Sequence, residues 1–369
     1  MLLTYQKQLS GKKVGVVFGT FAPLHQGHLD VIMRAKRECD GGCVVIVDGH
    51  DGDRGGDLMP LKKRYRYVRE FFADDDLVAV YAVDETELGI PAYPDGWEGF
   101  MTAVGTILGN AMEGTPVFYV SEPEYTENLT NVYGYEAVLL DRTKNPISAT
   151  MIRQNPLTYW DKITFPFRRV FSTNILICGT ASEGKTTLVK DLGKYFNAPY
   201  SHEYARDYME ESYVSEWELD GADYMAFLNG QYQLNKSLIN SPSNHGIFFA
   251  DSDSITTKMY ADYYSRDPEL DLTRDEFLDI AIAADAITKK CHWDRIYVLF
   301  PHGIFVDDHT RYMGCSDMEE RKALFAILCD ELRASGNWDK VTILDGGYWK
   351  NFETIVNDVK EMYENGKLD

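Results

Sequence analysis

The chain has 369 residues, of which 44% are hydrophobic and 13% aromatic, so it has ample material for packed cores and is not a mainly disordered protein. At roughly 150 residues per domain, this length accommodates about two to three domains. Lys and Arg total 37 against 58 Asp and Glu, a net charge of −21 that repels nucleic-acid phosphates; no nucleic-acid binding is expected, and any anionic ligand must sit in a local positive pocket.

Residues 1–13 hold no apolar run suited to a signal peptide, and no stretch approaches the roughly 18 apolar residues of a membrane helix. A cytoplasmic chain without membrane insertion is expected. Strands are predicted over 14–18, 43–47, 77–83, 117–120 and 137–140, with helices over 28–39 and 61–72. In the second of these helices Tyr65, Val68 and Phe72 share a face. The pattern then restarts. A strand over 174–178 leads to a helix reaching Phe196, then a short strand at 199–201 and buried strands over 246–250, 295–300 and 341–344. This alternation predicts an α/β protein of two doubly wound parallel-sheet domains, over 1–170 and 171–369, joined through 155–173.

The scattered cysteines, Cys39, Cys43, Cys178, Cys291, Cys315 and Cys329, are expected to be free thiols. Cys39, Cys43 and His50 match no zinc spacing. Residues 48–57 look like a calcium loop, but counting from Asp51 places Lys62 where the bidentate Glu belongs, so calcium is rejected.

The first strand runs into Gly19-Thr20-Phe21 and then His25-Gln-Gly27-His28 at a helix start. Open α/β sheets bind ligands at the carboxyl ends of their strands. Gly19 lets the backbone approach a nucleotide, and Gly27 clears the space between two imidazoles that face one anion beside a helix N-terminus. After the fifth strand, Ser148 and Thr150 offer hydroxyls, and Arg153 offers a planar guanidinium to a phosphate. The basic run Lys62-Lys63-Arg64-Tyr65-Arg66 reads as a helix start near a triphosphate or as a solvated face, and the segment Ser121 to Tyr125 as pocket lining.

The second glycine turn, Gly179-Thr-Ala-Ser182-Glu183-Gly184-Lys185-Thr186, is a Gly-x4-Gly-Lys-Thr P-loop between a strand and a helix. The backbone from Gly179 through Ser182, Glu183 and Gly184 wraps a phosphate. Lys185 reaches the β- and γ-phosphates, Thr186 ligates Mg²⁺, and Thr187 follows in the first helical turn. Asp251 ends a buried strand, with Asp253 two residues on, and is placed to hold Mg²⁺. Glu203 and Asp207 compete as the base that takes an acceptor's hydroxyl proton, and either also suits an ion pair with Arg206. Arg311 reads as a lid arginine or as a surface one.

The His-x-Gly-His turn with Ile147-Ser-x-Thr-x-Ile-Arg153 resembles the nucleotidyltransferase superfamily, and nicotinamide mononucleotide adenylyltransferases in particular. The resemblance implies that His25, His28 and Arg153 hold the ATP phosphates with Ser148 and Thr150 beside them, and that Gly19, Thr20 and Phe21 line the site. On the same resemblance Trp97, in an aromatic loop, either stacks on a pyridinium ring or packs as a loop aromatic. A P-loop domain behind such a half resembles the NadR family, including Asn155-Pro-Leu-Thr-Tyr-Trp160 and Phe249-Ala-Asp-Ser-Asp253. That implies a bifunctional NAD salvage enzyme: the second half phosphorylates nicotinamide riboside with ATP and Mg²⁺, and the first joins the mononucleotide to ATP's adenylyl group, giving NAD and pyrophosphate. Some members carry an N-terminal helix-turn-helix domain, for which no room is expected before the strand at Val14. Two other readings stay open: a nucleotide-sensing regulator with a silent domain, and a kinase for another nucleoside. Homo-oligomers are common among nucleotidyltransferases, but no interface is legible in these residues.

Overall fold

The computed structural model describes residues 7–50, 55–141, 146–302 and 317–364. Its contacts divide the chain into two units, the first running to Phe171 and the second starting at Ser172. Among the described residues no helix is long and apolar enough to cross a membrane. Cys39, Cys43, Cys178, Cys291 and Cys329 are free thiols, and Cys315 lies outside the described residues.

Unit 1 contains β1 (Leu9–Gly19), α1 (Gln26–Glu38), β2 (Cys43–Gly49), α2 (Leu61–Phe71), β3 (Val78–Asp84), α3 (Trp97–Ala111), β4 (Met112–Val120), α4 (Pro123–Asn131), β5 (Glu136–Leu139), α5 (Ala149–Gln154) and α6 (Phe165–Arg168). Its sheet order is β3-β2-β1-β4-β5, all parallel. Both faces are covered, so alternate residues of one strand enter different cores. Val17 packs with Ile32, Val68 and Phe167, whereas Val14 and Val16 pack with Phe100, Val104 and Leu129. The order reverses at β1, between β2 and β4, which opens a crevice beyond Gly19 and Val120.

The join 155–173 is not a spacer. Trp160, Ile163, Phe167 and Phe171 bury in the first core, and Thr164 donates from its amide and its hydroxyl to the Leu24 carbonyl, at 3.3 and 3.0 Å. This segment braces the turn that carries His25, through an antiparallel bridge between His25 and Ile163.

Unit 2 contains β6 (Thr173–Gly179), α7 (Lys185–Phe196), β7 (Tyr200–Ser201), α8 (Tyr204–Ser212), α9 (Gly221–Ile239), β8 (Ile247–Asp251), α10 (Ser254–Tyr264), α11 (Arg274–Thr288), β9 (Arg295–Leu299), α12 (Met318–Ala334), β10 (Val341–Leu344) and α13 (Tyr348–Glu364). Its parallel sheet has the order β10-β9-β6-β8-β7. Ile175 and Ile177 pack against α7 and α13 through Leu188, Leu192 and Ile355. Leu176 and Cys178 face the opposite layer with Phe227, Met259 and Leu328. β6 and β8 are neighbours, so the glycine turn after Gly179 and the carboxylate of Asp251 emerge side by side.

Candidate functional site

In unit 1 the helix start lies two residues earlier than the sequence suggests. His25 is the N-cap of α1, and its Nδ1 accepts the Gly27 amide at 3.2 Å. His28 therefore sits in the first turn, with its ring stacked on that of His25 at a centroid distance of 3.8 Å. A Cβ at Gly27 would lie 3.0 Å from Ile147 and 3.1 Å from the His25 ring, so a larger residue there would press on the imidazole. Phe21 takes a left-handed φ of 47° and sets its ring edge-on to His28. Thr20 donates its hydroxyl to Asp48 Oδ1 at 3.0 Å.

The two predicted motifs meet. Arg153 Nη1 donates to the Ala22 carbonyl at 2.5 Å and Nη2 to Thr150 Oγ1 at 3.2 Å, which brings its guanidinium to the turn that bears the histidines. Ser148 caps α5, its Oγ accepting the Met151 amide at 3.2 Å. Trp97 is not in a loop: it opens α3, with Tyr125 stacked on its ring at 5.1 Å and Tyr93 edge-on at 5.9 Å. Gly96 makes this entry possible, since a Cβ there would lie 1.8 Å from the Pro91 carbonyl oxygen. Tyr125 thus already covers part of the ring expected to stack on a ligand.

The basic run splits. Lys62 and Arg66 are exposed, whereas Arg64 is 1% exposed. Its Nε donates to the Met59 carbonyl at 2.8 Å, and its Nη1 to the carbonyls of Asp48, at 2.7 Å, and Thr20. Arg64 therefore ties the end of β2 to the turn after β1. The signal is its position: residues 61, 64, 65, 68 and 72 follow helical spacing, so Arg64 falls on the inward stripe.

In unit 2 the P-loop has the shape its glycines predict. Gly184 takes φ 78° as the N-cap of α7, beside Gly179 at φ 147°. Lys185 is 6% exposed and donates to the Thr180 carbonyl at 2.9 Å. Thr186 and Thr187 follow in the first turn of α7. Thr186 Oγ1 donates to Asp251 Oδ2 at 2.5 Å. Asp251 is fully buried, and burial pushes its carboxyl up to about 6 against the opposing charge of Lys185. Its Oδ1 is buried without a hydrogen-bond partner. An orphaned carboxylate oxygen beside a threonine hydroxyl and a phosphate loop suits Mg²⁺, a hard cation that is typically held by one or two protein oxygens together with substrate phosphates. Asp253 faces elsewhere: it caps α10 through the Ile255 and Thr256 amides and accepts the Trp293 indole N–H at 2.9 Å.

The two candidate bases part company. Glu203 lines the same cleft as Lys185, its carboxylate pairs with Arg206 Nε at 3.0 Å, and its charge helps raise the Asp251 carboxyl. Asp207 points away, half exposed, to His202 Nε2 at 2.5 Å. Arg311 lies outside the described residues. Glu183 turns its side chain from the loop into a buried pair with Arg321.

The cleft continues from Lys185 and Glu203 to Tyr224, Phe227, Tyr260 and Tyr264, with Glu216 accepting the Tyr264 hydroxyl at 3.3 Å. No sequence motif marks this wall, because its residues come from several helices. The spacing of Tyr224 with Phe227 and of Tyr260 with Tyr264 does place each pair on one helix face.

Comparison with known proteins places these features. Residues 16–155 match a cytidylyltransferase-like family model, and residues 174–350 match an AAA domain model. The trifunctional NAD biosynthesis/regulator proteins NadR of Salmonella typhimurium and of Escherichia coli are each 29% identical over 369 residues, spanning 95% of this chain and 83% of theirs. A crystal structure of a NadR protein in complex with NR superposes with a TM-score of 0.84 at 35% identity, covering 96% of this chain and 97% of that one. A second NadR structure, in complex with NAD and AMP-PNP, gives 0.82 at 35% identity, covering 97% and 98%. With 35% identity to a NadR protein of which it covers 97%, and with both halves in the same fold, the chain belongs to the NadR family.

Proposed function

We propose that the chain makes NAD from nicotinamide riboside in two ATP-dependent steps, phosphorylation in unit 2 and adenylyl transfer in unit 1. The aromatic and acidic cleft that opens directly off the P-loop lysine carries this reading. A pyridinium nucleoside is cationic and flat. Tyrosine and phenylalanine faces attract such a ring, and Glu216 supplies the opposite charge at the same wall. The relatives with NR, and with NAD and AMP-PNP, carry ligands of these classes.

In the first step the riboside's 5′-hydroxyl attacks the γ-phosphorus of ATP. Its proton passes to Glu203, the P–O bond to the β-phosphate breaks, and ADP leaves with the mononucleotide as the other product. Lys185 and the P-loop amides hold the phosphates in line. Thr186 and Asp251 would hold Mg²⁺, which would supply charge neutralisation when bound. In the second step a mononucleotide phosphate oxygen attacks the α-phosphorus of a second ATP and pyrophosphate departs. That phosphate is already ionised, so the site needs no base. His25, His28 and Arg153 position and neutralise the triphosphate, with Ser148 and Thr150 alongside.

The test incubates purified protein with ATP, Mg²⁺ and nicotinamide riboside and follows mononucleotide and NAD by chromatography. Appearance of both, in that order, is the expected result. A kinase that prefers adenosine or cytidine sinks the riboside assignment. Glu203→Gln should lower the rate of riboside phosphorylation by about 10²–10⁴, the usual contribution of a positioned base. Asp207→Asn should change it little, and equal losses in the two variants would refute the choice of Glu203. Glu216→Gln should raise KM for the cationic riboside about tenfold while leaving that for its neutral, reduced-ring analogue unchanged, since only the cation loses a charge partner. An equal rise for both nucleosides would mean that Glu216 acts through packing.

A further inference from the structure

We propose that Arg321, on α12, is a positioning residue for the P-loop, holding it in its phosphate-cradling form. A non-glycine residue, Ser182, sits in that loop at φ 64°, a left-handed conformation that L side chains rarely adopt. Arg321 brackets it. One nitrogen, Nη2, donates to the carbonyl of Ala181 at 3.2 Å and to the carboxylate of Glu183, the residues on either side of Ser182. The pair is sealed from solvent: both side chains are 2% exposed. His302, three residues beyond β9, approaches the same carboxylate, with its backbone amide 3.4 Å from Oε2 and Nδ1 at 3.6 Å.

Two consequences follow for the loop. The strained Ser182 is over-determined by a clamp on both of its neighbours, which is how such backbone persists at functional sites. A carboxylate lodged inside an anion-binding loop is also neutralised on the side away from the phosphates, so it does not oppose ATP. Arg321 is not among the residues that line the cleft. It acts through the backbone of residues 181–183.

The inference rests on unit 2 being the ATP-dependent kinase, and the first readout of its test, nucleotide binding, needs no acceptor. AMP-PNP binding with Mg²⁺ is measured by calorimetry, taking the component that Lys185→Ala abolishes as the P-loop site. Arg321→Gln should weaken that component at least about tenfold, as expected when preorganisation of a binding loop is lost. The KM for riboside should stay within about twofold, because the aromatic wall of the cleft is untouched. Adding Ser182→Gly to Arg321→Gln should recover most of the AMP-PNP affinity, since glycine adopts the left-handed conformation without a clamp. An undiminished AMP-PNP affinity, a parallel loss of riboside affinity, or no recovery with Ser182→Gly would each overturn the proposal. If Arg321→Gln fails to fold, Arg321→Lys is measured instead. It keeps a cation for Glu183 without the planar fork, and an unchanged affinity in that variant also overturns the proposal. Absence of riboside phosphorylation by the unmodified chain would refute the functional reading alone.

Discussion

Lys185→Ala should lower riboside phosphorylation about 10³-fold or more while conversion of supplied mononucleotide to NAD continues at the normal rate. Lys185 is almost wholly buried, and its ammonium already rests on a carbonyl of the same loop. Lys185 is the one cation in the loop's own sequence, while Arg206 on the cleft wall and Arg321 are paired with Glu203 and Glu183. Charge that builds on the transferring phosphoryl group then loses its fixed counter-charge in a water-poor site, and about 4 kcal/mol of barrier follows from a 10³-fold loss. The intact adenylyl transfer is the internal control, because β1 to α6 form their own sheet and cores. Both steps are read in one chromatogram: riboside persists, and mononucleotide added from outside is consumed. Loss of both activities together would mean that the two units do not work independently.

His28→Ala should produce the mirror image, with mononucleotide accumulating from riboside and NAD formation falling about 10²–10³-fold. His28 is the better of the two histidines for this experiment. His25 is 3% exposed, uses Nδ1 to cap α1 and bridges to Ile163, so removing it disturbs the turn as well as the charge. His28 lies in the first turn of α1, where the helix dipole favours an anion. Its ring is set by His25 below it and by the Phe21 edge beside it. Raising ATP should not restore the rate if His28 acts on the departing pyrophosphate, and full rescue at high ATP would assign it to ground-state binding alone.

Most strands were legible because parallel strands covered on both faces read as continuous apolar runs, as in Val44-Val45-Ile46-Val47. The glycine turns were legible because phosphate binding requires small residues at fixed offsets. The riboside wall was not. Its aromatics lie on α9 and α10, and they converge only after β8 joins the sheet beside β6. Helices α9 and α11 each bury one face, but polar Gln231, Asn235 and Thr288 lie on it while apolar Met225, Leu278 and Ile282 are exposed, so polar and apolar residues do not separate cleanly along the chain. The pairing of Glu183 with Arg321 spans 138 residues, and no local pattern announces it. Glu203 and Asp207 are both plausible bases by composition, and only their side-chain directions separate them.

The splitting of the basic run bears on how this stretch of chain drifts. Arg64 serves three backbone carbonyls at once, and a lysine ammonium, a single point on a flexible stem, does not reproduce a planar fork. Lys62 and Arg66, facing water, are free to exchange with one another or with any polar residue. Substitution in this segment of five residues therefore carries two very different costs. An inventory that counts positive charge treats its members as equivalent, while the folded chain holds one of them as a keystone and leaves its neighbours to wander.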